Sequence, residues 1–167
     1  LYAEIMRQWS TDHPEFTYLP RKFKIAITGS PQDRAAVRVH DIGLLAHRNE
    51  KGEPGFQVYA GGGLGRTPII GTKVREWLPV KDLLRYVESI LRVYNSLGRR
   101  DNIYKARIKI LIREMKPEHF IALIEKEFES LPAEYNILDP EIVQEVEKRF
   151  GKPPFLTLSE KSFVLDN

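Results

Sequence analysis

The chain has no cysteine. That excludes disulfides and any metal centre held by this chain's own thiolates, and it suits a reducing compartment such as the cytoplasm. No apolar run approaches the roughly 20 residues that span a bilayer, so no membrane partner is expected. The four histidines, His13, His40, His47 and His119, show no H-x-x-x-H or H-E-x-x-H spacing, so no metal site is expected. His40 and Asp41 are adjacent and could act as an acid–base pair, but neighbours on a strand point to opposite faces. A G-x-S-x-G elbow is absent, which leaves a hydrolase unsupported. The carboxylates show no pairing beyond solvated helix faces. There is no internal repeat and no low-complexity tract. No signal-peptide pattern opens the chain. Its first residue is Leu1, which suggests a piece cut from something longer.

What is present fits a globular domain. The 167 residues are 42% hydrophobic and 29% charged, sufficient for one real core. The net charge of +3 conceals an asymmetry. Residues 1–113 carry 20 Lys and Arg against 11 Asp and Glu, whereas residues 114–167 carry 6 against 12. A basic body with an acidic tail section suggests that the body meets a polyanion: nucleic acid, a multiply charged cofactor or an anionic substrate.

The periodicities give an element order. Residues 1–9 read as a short amphipathic helix and 10–16 as a loop. The stretch FKIAITG (23–29) reads as a strand, followed by a turn. DIGLLAHR (41–48) and GFQVYAGG (55–62) read as two strands of a hairpin, joined through NEKGEPG. GGGLGRTPIIG (61–71) is a glycine-rich loop. A helix is expected over 79–98, with Leu83, Leu84, Val87, Leu91 and Tyr94 inside and Gly98 at its C-cap. Residues 99–114 stay open between strand and helix: Ile108, Ile110 and Ile112 alternate, while Asn102 could cap a helix. Helices follow over 117–130, with Phe120, Ile124 and Phe128 inside, and from Asp139–Pro140 to Gly151, with Ile142, Val146 and Phe150 inside. Residues 152–167 read as a linker and the start of a strand. Strands first and helices later give an α+β class, a mixed β-sheet with helices packed on it.

Two features carry chemistry. Gly61, Gly62, Gly63 and Gly65 do not run into a helix as a dinucleotide fingerprint must, and GLGRTPIIGTK is not a P-loop. What remains is a run of backbone N–H groups beside Arg66, able to cradle carboxylates or phosphates. The cations form three blocks: Arg21, Lys22 and Lys24; Arg66, Lys73 and Arg75; and Arg99, Arg100, Lys105, Arg107 and Lys109. Lys22 and Lys24 lie two apart, so on an extended chain they share a face. Two ammonium groups there repel unless an anion sits between them, and each can deliver a proton. That fits an oxyanion substrate or a polycarboxylate cofactor. A nucleic-acid groove would want interleaved exposed aromatics.

The order YLPRKFKIAITG, HDIGL, GFQVYAGGGLGRTPIIG and WLPVKDLLRYVESILRVYNSLGRRDNIYKARIKIL resembles the nitrite/sulfite reductase family, above all its bacterial assimilatory sulfite reductase hemoproteins, over residues 18–130. The resemblance implies siroheme, an iron tetrapyrrole with eight carboxylates, coupled to a 4Fe–4S cluster. It implies an oxidoreductase that reduces sulfite to sulfide, or nitrite to ammonia, by six electrons taken from ferredoxin or a flavoprotein. It places Lys22 and Lys24 at the substrate anion as catalytic cations. It places Arg21, Lys22, Lys24, Asp41, Gly61, Gly62, Gly63, Leu64, Gly65, Arg66, Arg100, Lys105, Arg107 and Lys109 at the cofactor, and it makes the basic stretch after the long helix helical. A lysine at position 24, where nitrite reductases of the family tend to carry Asn, leans toward sulfite.

The sequence departs from the family in lacking the four cluster cysteines. The resemblance therefore implies an internal fragment, inactive alone, whose cluster ligands lie further toward the C-terminus. It divides the chain into an N-terminal helix and linker (1–17), a siroheme-binding part (18–150), and a linker with the start of a further segment (151–167). Nitrite reduction, a cysteine-free module that binds a tetrapyrrole or another polyanion without catalysis, and a nucleic-acid-binding module are the alternatives; the motif order weighs against the last.

Overall fold

The computed structural model describes residues 1–150. It is α+β: a four-stranded mixed sheet with helices packed on it. Strands β1 (Ile25–Thr28), β2 (Ile42–Arg48), β3 (Pro54–Ala60) and β4 (Thr72–Pro79) lie side by side in that order. β1 runs parallel to β2, with Ile25 opposite Ile42, and the other pairs are antiparallel. The hairpin between β2 and β3 forms where its turn residues require it. Asn49 Oδ1 accepts from the amides of Lys51 (3.0 Å) and Glu53 (2.9 Å), and Gly52 takes φ +79°.

The helices are α1 (Tyr2–Ser10), α2 (Pro14–Thr17), α3 (Leu83–Leu97), α4 (Ile108–Met115), α5 (Pro117–Ser130) and α6 (Pro140–Arg149). The five positions expected inside α3 are all buried. One apolar cluster joins them to Ile42, Leu44, Phe56 and Val58 of the sheet, to Phe120 and Ile124 of α5, and to Ile5 and Met6 of α1.

Several expectations are corrected. β4 is a strand that the sequence reading left unassigned; register shifts near Phe56 and Val58 break the simple alternation that would have marked it. α2 interrupts the expected loop at 10–16. Residues 99–107 are neither strand nor helix, and the helix begins only at Ile108. Asn102 does not cap it; its Oδ1 accepts from the Tyr104 amide at 2.9 Å in a local turn. Ile142 and Phe150 are 46% and 58% exposed, because α6 packs through Val143 and Val146 instead. The expected end of α6 at Gly151 and the strand start in 152–167 lie outside the described residues.

Gly98 closes α3 in an extended conformation (φ −65°) and not a left-handed one. Glycine is needed there for space: a Cβ would lie 2.6 Å from the Tyr94 carbonyl oxygen and 2.9 Å from Pro20 Cγ. That close approach draws the Tyr18–Lys24 segment against the end of α3. Phe23 then packs on Tyr94 with ring centroids 5.6 Å apart. The Tyr94 hydroxyl donates to the Ala106 carbonyl at 2.6 Å, fixing the chain just before α4.

A buried carboxylate knits the other end of α3. Glu88 accepts from Arg92 Nε (2.9 Å), the Tyr135 hydroxyl (2.9 Å) and Asn136, with His13 Nε2 at 3.4 Å.

Tyr94 yields a pH-dependent prediction. Burial, and then the nearby Asp41 charge, push its hydroxyl up from 10.0 to about 12. The unfolded chain then releases this proton first, so stability is retained below pH 10 and falls as pH rises toward about 12. Tyr94→Phe should lose about 1 kcal/mol at neutral pH and show a shallower alkaline decline. Urea titrations at pH 7 and above pH 10 check this, and an unchanged alkaline slope counts against it.

Candidate functional site

The site is built outward from the Tyr18–Lys24 segment. Phe23 is half-buried on Tyr94, so Lys22 and Lys24 on either side of it are turned to solvent. The Lys24 backbone is held on both sides: its N–H donates to Asp41 Oδ2 at 2.9 Å, and its carbonyl accepts from the Ile42 amide at 3.1 Å. Among the described residues no carboxylate pairs with either ammonium group.

Asp41 is fully buried. Its Oδ1 accepts from Arg107 Nε at 3.0 Å and Nη2 at 2.7 Å. Both of its oxygens, expected at a cofactor, are bonded inside the protein in this structure. Here the carboxylate instead holds the Lys24 amide and the Arg107 guanidinium.

Lys109, also buried, points its ammonium at the Leu64 carbonyl (3.3 Å) and the Thr67 carbonyl (2.6 Å). Burial, and then the neighbouring Arg107 guanidinium, hold it below the usual lysine range, against the pull of Asp41. Two residues on adjoining turns of the chain therefore do separate work: Arg107 neutralises Asp41 and Lys109 ties down the glycine loop.

That loop is a small closed hairpin. Gly63 and Ile69 exchange two backbone bonds of 2.9 Å, the Gly61 amide donates to the Asp41 carbonyl at 2.9 Å, and the Gly71 amide donates to the Arg38 carbonyl at 2.6 Å. The expected cradle of free N–H groups is therefore absent at Gly61 and Gly63, whose donors are already used. The glycines serve close packing. A Cβ at Gly62 would lie 2.4 Å from the Arg38 carbonyl oxygen and 2.7 Å from that of His40. The tip, Leu64 to Pro68, is exposed and includes Gly65 and Arg66.

Three further expected cofactor residues are bonded neither to Asp41 nor to the glycine loop among the described residues. Arg21 donates to the Ile103 carbonyl and lies 6.0 Å from the Tyr104 ring centroid. Arg100 donates to the carbonyls of Tyr18 (2.7 Å) and Asn95 (3.2 Å). Lys105 is exposed. The histidines do not converge, and no group of residues suited to a metal ion occurs among the described residues. Sequence reasoning missed Arg38, whose carbonyl floors the glycine turn and whose guanidinium lies 5.6 Å from the Tyr59 ring centroid; a lone arginine in a polar turn gave no signal.

Close packing at Gly62 is testable. Gly62→Ala should destabilise by about 2 kcal/mol through overpacking against backbone. Gly29→Ala, where nothing lies within 4 Å of the new atom, should stay within about 0.5 kcal/mol of wild type. Chemical denaturation compares them, and equal costs would contradict the packing account.

Comparison with known proteins bears on the family and the fold. Residues 1–131 match the model of the nitrite and sulphite reductase 4Fe-4S domain. The chain is 30% identical over 125 residues to sulfite reductase (ferredoxin) 1 of Mycolicibacterium paratuberculosis, covering 75% of this chain and 22% of that protein. It is 38% identical over 116 residues to the sulfite reductase (NADPH) hemoprotein beta-component of Leptospira biflexa, covering 65% of this chain and 21% of that protein. The solved structure of the Mycobacterium tuberculosis NirA protein superposes with a TM-score of 0.68 at 31% identity, over 78% of this chain and 23% of that one. The chain thus spans about a fifth of the length of the curated relatives it matches. With the family model covering most of the chain and the fold shared, this protein belongs to the nitrite and sulphite reductase family.

Proposed function

We propose that the chain is part of a siroheme-dependent sulfite reductase and supplies the cationic side of its anion site, residues 18–150 forming the cofactor-facing part. The observation that carries this reading is the pair Lys22 and Lys24, both exposed, with the Lys24 backbone held on Asp41 and Ile42 and no carboxylate partner for either ammonium group among the described residues. Unneutralised ammonium groups held two residues apart suit an oxyanion and a polycarboxylate.

The donor set fits siroheme: Lys22, Lys24 and Arg66 are free to meet carboxylates, and the exposed Leu64 offers apolar surface at the loop tip. When bound, siroheme would supply the iron that passes electrons from the external donor, ferredoxin or a flavoprotein, to the substrate. The residues of this chain bind and orient the anion and hold its protons. Sulfite loses three oxygens as water, which consumes six protons with the six electrons, and two ammonium groups at the anion both stabilise its charge and pass protons to departing oxygens. The 4Fe–4S cluster does not fit this chain, which has no thiolate to hold it. Its ligands belong to other parts of the reductase, and ferredoxin or a flavoprotein supplies the electrons.

The test uses the longer protein that contains this chain, made in cells that synthesise siroheme and assayed with a reduced viologen dye. Sulfide should form from sulfite with a higher kcat/KM than ammonia forms from nitrite. Lys24→Ala should lower sulfite turnover about 100-fold. A preference for nitrite would replace the substrate assignment. Siroheme binding without turnover would favour a non-catalytic module, and an unchanged Lys24→Ala enzyme would remove the lysine pair from the mechanism.

A further inference from the structure

We infer that Asp41 is a positioning residue which, through one buried carboxylate, couples the anion-facing Lys24 to the Arg107–Lys109 segment and so to the glycine loop. This rests on the reading of Lys24 as an anion-site cation. The two oxygens of Asp41 are divided: Oδ2 receives the Lys24 amide at 2.9 Å, and Oδ1 receives both Arg107 donors, the nearer at 2.7 Å. The Asp41 carbonyl receives the Gly61 amide at 2.9 Å, so the same residue also fixes where the loop begins. Two residues after Arg107, the Lys109 ammonium fixes where the loop tip ends, on Leu64 and Thr67.

The Lys24 and Arg107 segments therefore meet at one side chain, and the glycine loop joins at the backbone carbonyl of the same residue. Other side-chain bonds also join these segments, Lys109 to the loop carbonyls and Arg21 to the Ile103 carbonyl, but Lys24 itself reaches the cluster through its backbone amide on Asp41. Asp41 is shielded from solvent and does not touch the ligand itself. Its effect on a bound anion must pass through Lys24 and the loop. A residue that merely stabilised the fold would lower stability without changing how much Lys24 contributes to binding.

Two measurements on the purified chain test this. The first is amide hydrogen exchange by NMR. The Lys24 amide should be protected well beyond that of Lys22 in the wild type, and in Asp41→Asn it should exchange about tenfold faster while the amides of α5 are unchanged. Arg107→Lys, which keeps the charge but not the paired donors, should move the same amide less. Wild-type exchange at Lys24 as fast as at Lys22 overturns the inference without any variant having to fold.

The second is binding of uroporphyrin, an iron-free octacarboxylate, followed by its fluorescence. Lys24→Ala should weaken binding about tenfold in the wild-type background and less than about twofold in Asp41→Asn. Additive losses overturn the coupling. Failure of the wild type to bind uroporphyrin strikes the cofactor reading instead, and the exchange result then decides the role of Asp41 by itself.

Discussion

A carboxylate removed from water must be met by donors or it is neutralised, and Asp41 is removed completely. The cost of an isolated buried charge is several kcal/mol, so the chain is constrained to bring a guanidinium and an amide to this point. That constraint explains why residues 99–107 leave regular structure. A helix running straight on from α3 would carry Arg107 elsewhere, whereas the irregular stretch, pinned by the Tyr94 hydroxyl at Ala106, lets Arg107 turn onto Asp41 before α4 begins.

The remaining charges divide into those satisfied inside the protein and those left outside. Glu88 holds Arg92, and Glu125 holds Arg75 at 2.5 Å while accepting from the Tyr86 hydroxyl at 2.7 Å. These pairs bind helices and sheet to one another. Lys22, Lys24 and Arg66 take no part in such pairs among the described residues, and they flank the segments that Asp41 organises. Surface charge in this region is therefore not an average property of a basic protein. It is what remains when the neighbouring carboxylates have internal partners.

Much of this was legible in sequence. The hairpin is marked in sequence by the Gly and Pro of NEKGEPG, and α3 by a long run of apolar residues at helical spacing. The alternation of Ile108, Ile110 and Ile112 left strand and helix open because the first and last are also four apart, and in α4 both are buried on one helical face. β4 was hidden by register shifts, and the outward turn of Ile142 and Phe150 by the choice of Val143 and Val146 as the packing stripe. The glycine loop was visible as a loop, but its purpose was not: the sequence cannot say that the Gly61 and Gly63 donors are taken by Asp41 and Ile69. Nor could it show that Asp41 faces inward, since its partners lie 17 and 66 residues away.

β1 pairs only with β2 among the described residues, so its outer backbone groups lie open. An open strand edge is a template for a second copy of the same strand. Here the strand has four residues, and the exposed Lys24 immediately precedes it. Two such edges laid together antiparallel or parallel would bring ammonium groups from both copies onto one short ladder, without a counter-ion to separate them. The exposed lysine beside this edge thus opposes lateral self-association, and screening it with salt weakens that opposition.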